Sequence, residues 1–111
     1  MPITTQSYKR CEILRVTGRI DSSNANILYD AFKVIQDKGK FNIVFDMAGI
    51  TFISSRGWWV LIETQKVCKR YNRGKLVLVD VDEKILSSLE LVGMKDYFIV
   101  YEDLVDAVGN F

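Results

Sequence analysis

Two adjacent serines, Ser54 and Ser55, stand at the head of the segment Phe52–Trp59, where the residue pattern changes from strand-like to helical. A serine at the start of a helix caps free backbone N–H groups with its hydroxyl oxygen. The same position also suits a phosphoserine, because the helix dipole and the free N–H groups stabilise a dianion. The sequence therefore leaves helix capping and phosphorylation open as roles for this pair.

A serine nucleophile is disfavoured by the remaining residue types. The chain has no histidine and no Gly-x-Ser-x-Gly turn, so the usual means of activating a serine are missing. Lys66 and Lys69 lie two or more helical turns from the serines. We predict that the chain is not an enzyme.

Composition also argues against metal, cofactor and nucleic-acid roles. Cys11 and Cys68 are far apart, form no Cys-x-x-Cys pair and have no histidine to join, so we predict buried thiols and no metal or cofactor. The net charge is +1 with both signs spread along the chain, which predicts no nucleic-acid binding. No apolar run approaches membrane-spanning length and the N-terminus is polar, so we expect a cytoplasmic protein without membrane insertion.

Helical phasing sorts the residues after Ser55 into two faces. At 100° per residue, Gly57 falls on the predicted core face, whereas Trp58, Trp59 and Ile62 fall well away from it. Exposed tryptophans favour a partner-binding patch, or a homodimer through the Trp58/Trp59 patch; the alternative is a loop that covers one tryptophan. The other residues of the predicted core face are Val60, Leu61, Thr64, Val67, Cys68 and Tyr71.

Alternating strand and helix patterns predict how this segment is positioned. Strands over 2–6 and 11–16 read as an N-terminal hairpin, the second of them partly exposed, and Gly18 ends the run. Four helices follow, capped near Asp21–Ser23, at Ser54 or Ser55, at Asp82 and at Asp103, and strands over 41–45, 75–79 and 98–100 separate them. Residues 47–51 read as a loop, and Ile27 and Leu91 as core residues of their helices. We predict a single α/β domain over 1–111 with a mixed, mostly parallel sheet of about five strands.

Three short motifs make the chain resemble the STAS domains, and within them the bacterial anti-sigma factor antagonists. Val16–Asp21 is similar to the family's Leu-x-Gly-Glu/Arg-Leu/Ile-Asp, and Phe45–Ile53 to its Asp-Leu-Ser-Gly-Val-x-Phe-Ile. Leu89–Met94 is similar to its Leu-x-x-x-Gly-Leu helix end. The resemblance covers nearly the whole chain and implies the same fold as the pattern of strands and helices.

The resemblance also implies a function. Such a protein binds an anti-sigma factor, often a serine kinase, and is switched by phosphorylation of a serine that aligns with Ser55. Asp21 aligns with an acidic residue beside that site. The chain departs from the motif at Ser54, where the family has Asp, at Arg56, where it has a small residue, and at Trp58-Trp59, where it has Leu-Gly.

Helical phasing and the family resemblance together predict seven partner-binding residues: Asp21, Ser54, Arg56, Gly57, Trp58, Trp59 and Ile62. The alternative function is an accessory STAS subunit of a transport complex, such as phospholipid transport, that binds the transporter ATPase.

Overall fold

The structure is a computed structural model that describes residues 1–111. Its seven strands and four helices confirm the predicted mixed α/β class and the four helices. The strands are β1 (Ile3–Ser7), β2 (Glu12–Val16), β3 (Gly18–Ile20), β4 (Ile43–Asp46), β5 (Ile50–Ile53), β6 (Leu76–Val79) and β7 (Ile99–Tyr101). The helices are α1 (Ala25–Asp37), α2 (Ser55–Lys69), α3 (Glu83–Leu91) and α4 (Leu104–Gly109).

Five strands form the main sheet in the order β1-β2-β4-β6-β7. The hairpin pair β1 and β2 is antiparallel, and the other three pairs are parallel, as the alternation of strands and helices predicts. The central strand, β4, lies between β2 and β6. Its carboxyl end, at Asp46, leads into the segment that carries the serines.

A second, two-stranded parallel sheet joins β3 to β5 and corrects the sequence prediction. The sequence predicts a loop over residues 47–51 and a strand end at Gly18; residues 47–49 do form a turn, but Ile50 and Thr51 belong to β5. Ile20 pairs with Ile53, and Gly18 N–H donates a hydrogen bond to Gly49 O at 2.9 Å. Both strands are partly exposed, and polar residues interrupt their apolar ones, so neither shows the apolar run of a buried strand, which explains the error.

Both faces of the main sheet are covered. Alternate residues of β4 point to opposite sides: Phe45 packs in the larger core with α1, α2 and α3, and Val44 packs in the smaller core under α4. The expectation that β2 is partly exposed is therefore wrong, because β2 lies inside the sheet between β1 and β4. Even Glu12 is buried, where Ser7 Oγ donates to its carboxylate at 2.7 Å and Lys40 pairs with it at 3.2 Å.

Helix ends explain the remaining differences from the predicted core. Asp82 and Asp103 cap α3 and α4 as expected, but α1 begins later than predicted, after Asn24. Helix α2 ends at Lys69, so Tyr71 lies beyond it and is 85% exposed. Two other residues expected in the core are also exposed: Ile27 in the first turn of α1 and Leu91 at the last position of α3.

Candidate partner-binding site

The start of α2 is anchored to the small sheet through Ser54. Its backbone N–H donates to Ile20 O at 2.8 Å, so the helix begins directly beside the end of β3. Its hydroxyl oxygen accepts a hydrogen bond from Gly57 N–H at 3.2 Å, which is the geometry of a helix cap. The capping role, left open between two serines, thus belongs to Ser54.

Ser55 occupies the first position of α2 and has an exposed side chain. Its hydroxyl takes no part in capping, because Ser54 already serves the N–H of Gly57. The first N–H groups of a helix lack intrahelical acceptors and carry a partial positive charge. Ser55 is therefore a free hydroxyl at a position that favours an added negative charge.

Asp21 follows β3 directly and is brought near the serines by the hydrogen bond between Ser54 and Ile20. Its carboxylate accepts hydrogen bonds from the hydroxyl and the backbone N–H of Ser23, and these bonds lower the pKa of Asp21 below its usual range. Asp21 is thus ionised at neutral pH and adds a negative charge beside α2.

Gly57 lets α2 sit close against the small sheet, as its place on the predicted core face implies. A Cβ atom at this position would lie 2.6 Å from Ile53 Cγ1 and 2.8 Å from Ile20 Cγ2. Both distances are shorter than a van der Waals contact, so any larger residue would push the helix away. Gly57 is buried and supports the site from beneath without contacting solvent.

Trp58 is buried, which corrects the prediction that it forms part of an exposed patch. Only 2% of the residue is accessible, its ring lies 6.4 Å from that of Phe98, and its indole N–H donates to Ser88 Oγ at 2.9 Å. Helix α3 and the segment before β7 cover this side of α2, which phasing of α2 alone does not reveal. Ile62 is also half-buried against the core and not fully exposed.

Trp59 is 40% exposed, as predicted, and forms the centre of a stacked cluster. Its ring lies 5.9 Å from that of Tyr29 on α1, and the guanidinium of Arg56 lies 4.4 Å from its centroid. Arg56 also donates to Asn26 Oδ1 at 3.5 Å. The cluster bridges α1 and α2, and both Arg56 and Trp59 keep surface available to solvent.

A second arginine and aromatic pair lies on the small sheet. The guanidinium of Arg19 in β3 lies 4.3 Å from the ring centroid of Phe52 in β5, and both residues are exposed. Phe52 belongs to the segment singled out by sequence, but Arg19 and Tyr29 were missed as site residues. The only sequence signal for Arg19 was its place in the Val16–Asp21 motif, since β3 itself was not recognised. Hereafter Arg19, Phe52, Ser55, Arg56 and Trp59 are called the docking surface.

This combination of fold and surface can be compared with known proteins. A comparison with protein families matches residues 2–107 to the STAS domain. The chain belongs to the STAS domain family. The predicted resemblance is thereby confirmed, and Ser55 lies at the start of the second helix of this STAS domain.

Two of the proteins similar to this STAS domain are described as anti-sigma factor antagonists. A Bordetella bronchiseptica protein named as the anti-sigma factor antagonist BtrV is 26% identical over 111 residues, which are 100% of this chain and 95% of that protein. A Thermotoga maritima structure described as an anti-sigma factor antagonist has a TM-score of 0.90 at 19% identity and covers 97% of this chain and 92% of its own. The Bacillus cell fate determinant SpoIIAA, in its phosphorylated form, has a TM-score of 0.77 at 12% identity and covers 98% of both chains. At these identities the two structures show the fold alone.

Other kinds of site were searched for in the same STAS domain. No group of three or more Cys, Asp or Glu side chains is arranged to hold a metal ion. None of the helices combines the length and apolar composition needed to cross a bilayer. Cys11 and Cys68 are both free and buried as predicted, and burial raises the pKa of the Cys68 thiol to about 11.

Proposed function

We propose that this STAS domain is a cytoplasmic anti-sigma factor antagonist, and not an enzyme, which binds an anti-sigma factor through the docking surface and is switched by phosphorylation of Ser55. The division of roles between the two serines carries the proposal. Ser54 caps α2, whereas Ser55 has an exposed hydroxyl that the fold does not use. Modification of Ser55 therefore leaves the helix cap intact and changes only the surface.

The docking surface has the composition of a protein interface. Tryptophan and arginine are the residue types most often responsible for binding energy, and each arginine here is held against an aromatic ring. Stacking restricts the arginine side chains before a partner arrives, so less conformational entropy is lost on binding. Asp21 and Ser54 border this surface, and buried Gly57 and Trp58 support it from beneath.

A phosphate on Ser55 would change the charge of this surface at its centre. It would add close to two negative charges at neutral pH, and the start of α2 would stabilise them. Arg56 is the nearest cation in sequence and now lies over Trp59. We expect the phosphate to compete with Trp59 for the guanidinium, which would alter both polar and aromatic contacts with a partner.

Binding measurements on three variants test the switch. We expect Ser55→Asp to weaken binding to the cognate anti-sigma factor at least about tenfold, because the added charge costs more than about 1.4 kcal/mol of binding free energy. Ser55→Ala should bind like the unmodified protein. Ser54→Ala is the matched control, because it removes a neighbouring hydroxyl with a structural role. Equal affinities for Ser55→Ala and Ser55→Asp would contradict a charge switch at this position.

Direct modification is tested by incubation with the cognate serine kinase and mass spectrometry. Phosphate is expected on Ser55 and is expected to disappear in Ser55→Ala but not in Ser54→Ala. Phosphate on another residue, produced by a kinase of proven activity, would refute Ser55 as the acceptor.

Identification of the partner separates this proposal from the transport alternative. Purification of partners from the native host should yield an anti-sigma factor or serine kinase, and recovery of a transporter ATPase would favour the accessory-subunit function instead. Light scattering addresses a homodimer through the patch. A dimer that Trp59→Ala dissociates would show that Trp59 serves self-association and not partner binding.

A further inference from the structure

The edge of the main sheet opposite the docking surface is made of three loops that carry positive charge and no negative charge. These loops are 8–11, between β1 and β2; 38–42, between α1 and β4; and 69–75, from the last residue of α2 to the start of β6. They hold eight of the fifteen lysines and arginines and none of the fourteen acidic residues. We call these three loops the basic edge.

Strand register brings the three loops together. Ser7 pairs with Glu12, Glu12 with Ile43, and Ile43 with Leu76, so one row of residues marks where all three loops meet the sheet. Two cavities lie between the loops, of about 190 and 380 Å³, and Asn42 lines both. The basic edge is therefore a continuous part of the surface.

Few of these cations are neutralised by a carboxylate side chain. Among the eight, only Lys40 has an Asp or Glu side chain within 4.0 Å, that of Glu12, and Arg10 donates to Phe111 O at 3.4 Å. Five acidic residues lie at the opposite end of the strands, Asp80, Asp82, Glu83, Glu102 and Asp103, whereas two, Glu12 and Asp37, adjoin the loops. About 16 Å separates Asn42 from Met47 across β4, at about 3.3 Å per residue, and salt screens charges beyond about 8 Å. A negative surface at the basic edge thus meets eight positive charges and only two adjoining carboxylates, although the net charge of the chain is only +1.

Tyr71 projects from the basic edge in an unusual conformation. It is 85% exposed, and both Tyr71 and Asn72 have positive φ angles, 59° and 57°, which cost energy for residues with side chains. Arg73 holds this turn in place: it donates to Val67 O at 2.9 Å, and its guanidinium lies 3.8 Å from the ring centroid of Phe41. The fold therefore maintains an exposed aromatic side chain among cations.

We propose that the basic edge docks this STAS domain onto the surface of an anionic phospholipid bilayer. Lysines and arginines attract acidic headgroups, and tyrosine is favoured at the boundary between headgroups and acyl chains. A planar surface reaches cations on all three loops at once, whereas the two small cavities do not form a groove long enough for a nucleic-acid strand. The contact is peripheral, and it leaves the docking surface facing away from the bilayer.

Vesicle sedimentation tests the proposal. The protein is expected to sediment with phosphatidylglycerol vesicles, to remain in solution with phosphatidylcholine vesicles, and to be released by added salt. The charge reversal Lys9→Glu/Arg70→Glu should lower the partition coefficient at least about twentyfold, since each cation near the surface contributes a factor of roughly five. Both side chains are exposed and form no ion pair, so the fold should be unaffected.

The control variant is Lys33→Glu/Lys84→Glu, which changes the net charge equally but lies outside the basic edge. It should sediment like the unmodified protein. Tyr71→Asn, whose side chain tolerates the left-handed conformation, should weaken sedimentation without loss of thermal stability. Three outcomes would overturn the proposal: no sedimentation with phosphatidylglycerol at low salt, equal losses in the two charge variants, or binding to polyuridylate without binding to vesicles.

Discussion

The indole N–H of Trp58 donates a hydrogen bond to the hydroxyl of Ser88, 2.9 Å away, and so joins α2 to α3. The next residue, Trp59, turns to the other side of α2 and stacks on Tyr29. The two consecutive tryptophans therefore have different roles in the fold. Trp58 holds the helices of the core together, and Trp59 presents aromatic surface to solvent.

Truncation should separate these two roles. Trp58→Ala is expected to cost about 3–5 kcal/mol of the free energy of unfolding, because it empties a buried site and leaves Ser88 without its donor. Trp59→Ala should cost about 1 kcal/mol, the value of its stacking, yet weaken partner binding. Urea denaturation measures the first effect and calorimetric titration the second. Similar losses of stability in both variants would mean that the two rings are equally buried.

Gln65 is a buried amide that connects α2 to β6. Its Nε2 donates to Leu76 O at 2.9 Å and to Tyr97 O at 3.2 Å, and its Oε1 accepts from Leu76 N–H at 2.7 Å. Gln65→Leu keeps the side-chain volume but leaves these backbone groups without hydrogen-bond partners. We therefore expect the free energy of unfolding, measured by chemical denaturation, to fall by at least about 2 kcal/mol. The exposed Gln6→Leu should change stability by less than about 0.5 kcal/mol. A stable Gln65→Leu protein would show that water replaces the amide.

The two serines should differ in stability as well as in function. Ser54→Ala removes the cap of α2 and is expected to cost about 0.5–2 kcal/mol of unfolding free energy. Ser55→Ala should change it by less than about 0.5 kcal/mol, because the hydroxyl is exposed and does not cap the helix. Thermal and urea unfolding of both variants measure the difference. The reverse order would assign the cap to Ser55 and weaken the case for its modification.

The Cys68 thiol should make the protein less stable at alkaline pH. Burial raises the pKa of Cys68 to about 11 in the folded state from an ordinary value of 9.0, so the unfolded chain loses this proton first as the pH rises. The stabilising contribution is complete below about pH 9 and is lost progressively toward about pH 11, a change of about 2–3 kcal/mol. The difference in unfolding free energy between unmodified protein and Cys68→Ala should follow that window. A constant difference from pH 8 to 11 would contradict the raised pKa.

Sequence patterns predicted the main sheet well because its central strands are uninterrupted apolar runs and its helices are long enough to show their period. The apolar runs around Phe45 and Leu78 identify buried strands, and Asp82 and Asp103 cap helices where expected. The small sheet was missed because its two strands are partly exposed and contain no uninterrupted apolar run. Asp21 was placed beside the serines by family resemblance, and the hydrogen bond from Ser54 N–H to Ile20 O supplies the physical connection.

The candidate site was predicted only in part, because the packing of other elements against α2 is not visible in the sequence of α2. Helical phasing located Gly57 inward and Trp59 outward correctly. It failed for Trp58 because a single helix does not reveal what packs against its far side, and Ser88 lies 30 residues away in sequence. Arg19 and Tyr29 come from other elements, so only the tertiary structure brings them to Phe52 and Trp59.

The small sheet formed by β3 and β5 has a consequence for motion. It is short, separate from the main sheet, and joined to α2 at the bond from Ser54 to Ile20. Exposed backbone opens locally at a lower free energy than the core, so the amides of its exposed residues, Arg19, Thr51 and Phe52, should exchange with deuterium well before those of Val44 or Leu78. A partner bound there would slow that exchange, and the extent of slowing would report how much order the partner imposes.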